Sequence, residues 1–145
     1  MTWKLRRVWS GVCVVLIVGL IGWWSVRQFI TVIPPASLTC SSMHMIKRRI
    51  LRYAGMHKQL PNSLDELPAI SGYSDRLTDA WADRISYRVS GDGSIALTSY
   101  GKDGQPGGTG ADADMAGTFM SQTPDGRWQD ELCSWVVDPC SRAGQ

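Results

Sequence analysis

Asp103, Asp112 and Asp114 stand in a glycine-rich stretch, residues 99–115, SYGKDGQPGGTGADADM, with few other bulky side chains. Carboxylate oxygens are the donors a hard cation takes, and Gly101, Gly104, Gly107, Gly108 and Gly110 let the backbone fold back and turn carbonyls inward. No His or Cys lies in the stretch, so the donor set fits calcium rather than zinc or copper. The competing description is a solvated turn, since Gly, Asp and Pro are also what exposed loops contain. Two known calcium patterns do not fit. An EF-hand would need acids or amides two and four residues after Asp103, where Gln105 and Gly107 stand, and a Glu at its twelfth position, which is missing. The run GGTGAD imitates part of a calcium β-helix repeat, but Asp114 takes the place of the large apolar residue and the pattern occurs once, where stacked copies are required.

Nothing in the chain marks catalysis. His44 and His57 are the only histidines; neither adjoins a nucleophile motif, and their separation is not that of two metal ligands on one helix. The G-x-S-x-G, H-E-x-x-H and P-loop patterns are absent. The expected role is therefore binding or assembly, not enzymatic.

Residues 8–26 carry no charge and, at helical rise, span about 28 Å, close to the hydrocarbon thickness of a bilayer. Lys4, Arg6 and Arg7 precede them and Trp9, Trp23 and Trp24 sit at the two ends, which predicts a single-pass signal anchor with a cytoplasmic N-terminus. The segment ends without an A-x-A-like site, so it reads as uncleaved. Pro34 and Pro35 break the stem. The expected organisation is a cytoplasmic tail (1–7), a membrane anchor (8–29), a linker (30–40), one small domain (41–118) and a C-terminal extension (119–145).

Within the domain, Met43, Ile46, Ile50 and Tyr53 recur at helical spacing, so a helix is predicted from about Ser41 to Ala54, stopped by Gly55. Lys47, Arg48, Arg49 and Arg52 fall mostly on its other side and are expected to face solvent. The first 64 residues hold nine Lys or Arg and no acid, a charge of +9, while the remainder holds six against thirteen acids, a charge of −7. A basic patch near a membrane could meet anionic headgroups or an acidic partner; nucleic acid is not expected outside the cytoplasm. Ser63 and Glu66 form a capping-box pattern for a short helix. Ile85, Tyr87 and Val89, then Ile95, Leu97 and Ser99, alternate with polar residues around SGDGS, which predicts an antiparallel hairpin running into the aspartate loop.

Taken together, residues 77–115 resemble the C-terminal domain of the major pseudopilin of type II secretion systems. The family's D-P-W-G-N-P-Y-x-Y, S-L-G-A-D-G-x-x-G-G and D-A-D-I runs are matched by Thr78-Asp79-Ala80-Trp81 and Tyr87, by residues 99–104 with Gly107-Gly108, and by Asp112-Ala113-Asp114-Met115. With the preceding helix and the LPNSLDEL segment the likeness covers roughly residues 40 to 118. It implies an α+β head, with one helix packed on a small antiparallel sheet, and a Ca²⁺ held by the side chains of Asp103, Asp112 and Asp114 and the main-chain oxygen of Tyr100. It also implies a bacterial inner-membrane protein with a periplasmic head, whose partners are other pseudopilins or inner-membrane secretion components; a homo-oligomer is compatible with it. The chain departs from the family twice. The only Gly placed for leader cleavage is Gly11, and the position five residues on is Leu16 instead of the family's Glu; and the family's unbroken helix meets Pro34-Pro35 here. An envelope binding module that reuses the same head without filament assembly is the alternative.

Cys133 and Cys140 bracket a short segment in a compartment that permits disulfides, so a bridge between them is expected. Cys40 is then left free, paired between chains, or a replacement for one of those partners; Cys13 is expected to act as a small apolar residue of the anchor. Trp128, Trp135, Val136 and Val137 predict a last strand or helix packed on the domain.

Overall fold

A computed structural model describes residues 33–72 and 75–141, together with Gly19 and Trp23. The predicted membrane segment lies outside the described residues; among those described, no helix is long and apolar enough to cross a membrane. The unit from Pro34 onward holds one long helix, α1 (Pro35–His57), and a three-stranded antiparallel sheet of β1 (Ser86–Val89), β2 (Ser94–Ser99) and β3 (Met115–Met120), in the order β1-β2-β3.

Helix α1 begins earlier than periodicity predicts. Pro34 is extended, with ψ 139°, and Pro35 occupies the first turn, where a missing N–H costs nothing and a fixed φ favours the helix. It also runs past Gly55 to His57 and ends on Lys58 in the left-handed region, φ 57°, whose N–H bonds to the carbonyl of Ala54. The predicted stripe is the buried one: Met43, Ile46 and Ile50 are fully enclosed and pack with Ile85, Ile95, Leu97 and Phe119 from the sheet. In β2 the inward positions are Ile95, Leu97 and Ser99, as the alternation requires. The predicted hairpin forms with Tyr87 opposite Leu97 and Val89 opposite Ile95. Ser63 accepts from the Asp65 N–H while Glu66 reaches back to the Asn62 N–H, so the short helix is a single 3-10 turn, Leu64–Glu66.

The basic cluster is not the solvated face expected of it. Arg49 is buried, and its guanidinium fork donates to the carbonyls of Pro68 (2.9 Å), Asp75 (3.1 Å) and Leu67 (3.0 Å), tying the irregular segment after the 3-10 turn to the helix. Lys47, also buried, donates to the Cys133 carbonyl, and Arg48 and Arg52 both face Glu131. Carbonyls and one acid from distant segments take up these cations, which a helical wheel cannot reveal.

Among the described residues, those after β3 form neither strand nor helix. Residues 133–141 make a strap over β3, with Thr118 bonding to both Val136 and Val137 through the backbone. Trp135 packs edge-on against Phe119 at 5.3 Å and lies, with Pro139, over Gly117. The strap is closed covalently, but not by the expected pair. Cys140 is bonded to Cys40 in α1, 100 residues earlier with a Cα separation of 5.6 Å, and Cys133 is a free thiol. Placing Trp135 over Gly117 carries Cys140 back to the first turns of α1. On the chain-entropy account a closure of that length is worth about 4–5 kcal/mol.

A Cβ at position 117 would stand 2.7 Å from both Pro139 Cδ and Trp135 Cζ3. Both atoms belong to rings that cannot swing aside alone. Gly117→Ala should therefore cost about 1–3 kcal/mol in urea unfolding, with the strap displaced. Unchanged stability would show that the strap does not rest on this glycine.

Candidate metal centre

The loop between β2 and β3 starts from a buried carboxylate, Asp79, to which sequence reading gave a place in the family match and no role. Asp79, 1 % exposed, accepts the Ser99 hydroxyl at 2.6 Å through one oxygen and the N–H groups of Trp81 (2.9 Å) and Asp83 (3.0 Å) through the other. Ser99 is the last residue of β2, so Asp79 fixes the point at which the chain leaves the sheet. The neighbouring Ala80 N–H donates to the buried Thr39 hydroxyl of α1, 3.1 Å away. Helix, turn and strand end thus meet at one place. An acid opening a turn two residues before Trp81 was the available signal, because Asp side chains commonly bond the backbone two residues on.

From Ser99 the chain runs out and back over residues 100–114. The arms are joined by the Lys102 N–H bonding to the Ala111 carbonyl at 2.9 Å, and the return arm contains a 3-10 turn, Gly110–Asp112. Gly101 and Gly108, at φ 69° and 82°, press against the Asp112 main chain; a Cβ on Gly101 would be 2.6 Å from the Asp112 oxygen. These two glycines are required both for their conformation and for that approach.

The four predicted ligands are distributed unequally. Asp103 is exposed on the outgoing arm, and its Oδ1 accepts from the Gln105 N–H at 3.1 Å. Tyr100 and Asp112 are half-buried. Asp114 is half-buried at the start of β3, with Oδ2 accepting from the Gly107 N–H at 3.0 Å and Oδ1 buried without a hydrogen-bond donor among the described residues. Asp114 also borders an open cleft of about 440 Å³ between the loop and Pro34, Pro35 and Trp81. The three carboxylates are not gathered within 4.8 Å of one another; among the described residues the set of potential ligands that is so gathered is Cys40, His44 and Cys140. Like charges favour separation unless something positive lies between them. The donor set fits a hard cation on one specific ground: a buried carboxylate oxygen with no donor is unfavourable, and a cation would meet it.

Two substitutions near the loop should act in opposite directions. Asp79→Ala strands the Ser99 hydroxyl and two amides, and should destabilise the head by about 2–3 kcal/mol. Ala82 lies at φ 72°, where an L side chain is strained, so Ala82→Gly should stabilise by about 1 kcal/mol. Denaturant unfolding of the full chain measures both.

Residues 39–118 match the model of the family described as type II secretion system (T2SS), protein G. The type II secretion system core protein G of Xanthomonas campestris pv. campestris is 35% identical over 91 residues, covering 55% of this chain and 64% of that protein. The chain therefore spans less than two thirds of that relative's length. The matched region takes in most of α1, the Asp79 turn, the hairpin and the aspartate loop, and stops inside β3 before the strap. By that match the chain belongs to the type II secretion system protein G family, the major pseudopilins.

Proposed function

We propose that this protein is a structural component of a type II secretion system, anchored in the inner membrane through residues 8–26 with its head in the periplasm, and that a Ca²⁺ ion bound at residues 100–114 sets the surface the head presents to neighbouring subunits. The observation that carries the metal is Asp114, whose Oδ2 is held by the loop while its buried Oδ1 has no donor among the described residues. Asp112, whose main chain is gripped by two glycines, and Asp103 and the Tyr100 carbonyl on the outgoing arm would complete the oxygen shell. A bound cation would screen the repulsion among the acids and draw the two arms together, fixing the loop that joins β2 to β3.

A second reading, an envelope adaptor that keeps the pseudopilin head without entering a filament, is favoured by one observation. Pro34 is extended and α1 starts at Pro35, so the head helix does not run back through Pro34. Crosslinking in cells to secretion-system subunits, with a test of shortening by prepilin peptidase, separates the two: an uncleaved, unpartnered protein favours the adaptor.

The calcium reading is tested by thermal unfolding of the full chain in detergent, with calcium and then with chelator. At a calcium concentration about 100 times Kd, mass action adds about 2.7 kcal/mol. For a domain of this size that is on the order of 10 °C in Tm. Asp114→Asn should abolish the increment while leaving the calcium-free Tm nearly unchanged. Superimposable curves for the wild-type protein would overturn the proposal.

A further inference from the structure

The strap and α1 together hold a group of residues that the secretion role does not use. Cys40 and Cys140 form the disulfide, both residues are half-buried, and His44 stands one turn after Cys40 on α1 with Nε2 3.3 Å from Cys140 Sγ. On the other side of the imidazole the Trp135 indole N–H lies 3.2 Å from Nδ1.

An indole nitrogen can only donate, so Nδ1 accepts and the proton of the neutral ring sits on Nε2. Burial holds His44 below the ordinary histidine range; of the charged groups facing it, Asp138 opposes that shift and Lys47 adds to it. Trp135 is thus a positioning residue that aims His44 Nε2–H at one sulfur of the pair. With a proton on Nε2 the imidazole has no lone pair to offer a metal there, so the Cys40, His44 and Cys140 cluster reads as a disulfide with a built-in donor.

We propose that the Cys40–Cys140 disulfide is a site of reduction by an external dithiol, attacked at Cys40 Sγ with Cys140 Sγ leaving toward His44 Nε2–H, and that its opening loosens residues 133–141 on β3. In the first step a thiolate of the dithiol bonds to Cys40 Sγ, and the Cys40–Cys140 bond breaks with its electron pair going to Cys140 Sγ. That thiolate accepts the His44 hydrogen bond and then takes a proton from water. In the second step the remaining thiol of the reagent, as thiolate, attacks its own partner sulfur in the mixed disulfide. Cys40 is released as a thiolate, and the dithiol becomes a disulfide by loss of two electrons. A donor aimed at the leaving sulfur lowers the affinity of that thiolate for a proton, and thiol exchange is faster when the leaving thiol is more acidic. Once the covalent closure is gone, the strap is held by the Trp135 contacts, the Lys47 bond to the Cys133 carbonyl and the backbone pairing of Thr118 with Val136 and Val137.

The test uses the full chain in detergent micelles, with dithiothreitol as the reductant and alkylation with mass mapping of the Cys40 and Cys140 peptides as the readout. His44→Phe removes the donor and should slow reduction about tenfold, whereas His44→Gln keeps an N–H near the Nε2 position and should react near the wild-type rate. Glutathione has no second thiol in the same molecule to complete the exchange, so its mixed disulfide, quenched early by alkylation, should be found on Cys40. In the reduced protein the amides of Thr118 and Val136 should exchange hydrogen faster than in the oxidised one. Glutathione trapped on Cys140, a Phe variant as fast as wild type, a Gln variant as slow as the Phe variant, or unchanged amide exchange after reduction would overturn the proposal.

Discussion

A carboxylate taken out of water has to be met by donors, and the way Asp79 is met organises this head. One oxygen takes the hydroxyl of the last residue of β2, and the other takes two amides of its own turn. The next residue, Ala80, is bound by Thr39 of the helix. Hydrogen bonds to a charged group are each stronger than neutral ones, and leaving any of them unmade inside the protein is costly. The helix, the turn and the start of the aspartate loop are therefore fixed relative to one another by polar contacts at the rim of an apolar core. The core supplies most of the burial, while Asp79 decides where the loop begins.

The local pattern was readable where one residue's neighbours in sequence are also its neighbours in space. The hairpin is such a case, because alternation from Ile85 to Ser99 places Ile95 and Leu97 inward whatever else the chain does. The buried stripe of α1 is another. Long-range partners were not readable. Arg49 looks like a solvated helix residue until three carbonyls from the segment around Pro68 and Asp75 are brought under it. Cys140 looks like a partner for Cys133, seven residues away, until the strap returns it to Cys40. The start of α1 was misplaced for a different reason: Pro35 breaks a helix interior but suits a helix beginning, and sequence alone does not say which applies. In the loop, the residue types and the glycine positions were legible; the unequal burial of the aspartates follows from how Gly101 and Gly108 close on Asp112 and could not be counted from spacing.

The family match and the structure divide the chain at nearly the same point. What the family model covers is the helix, the hairpin, the loop and most of β3. What lies beyond it folds back over the same sheet and helix, with Trp135 between Phe119 and His44 and Lys47 reaching across to Cys133. This extension contributes no strand of its own, yet it covers Phe119 and occupies Thr118 on β3, which is otherwise an edge strand open to pairing with another chain.

The bond between Cys40 and Cys140 also has a topological consequence. It turns almost the whole head into one covalent circle, since α1 beyond its first turns, the sheet and the aspartate loop all lie between the two sulfurs. A protease that nicks the backbone anywhere on that circle linearises it without producing fragments that can diffuse apart. The head is in this sense tolerant of a single wound for as long as the sulfurs stay joined.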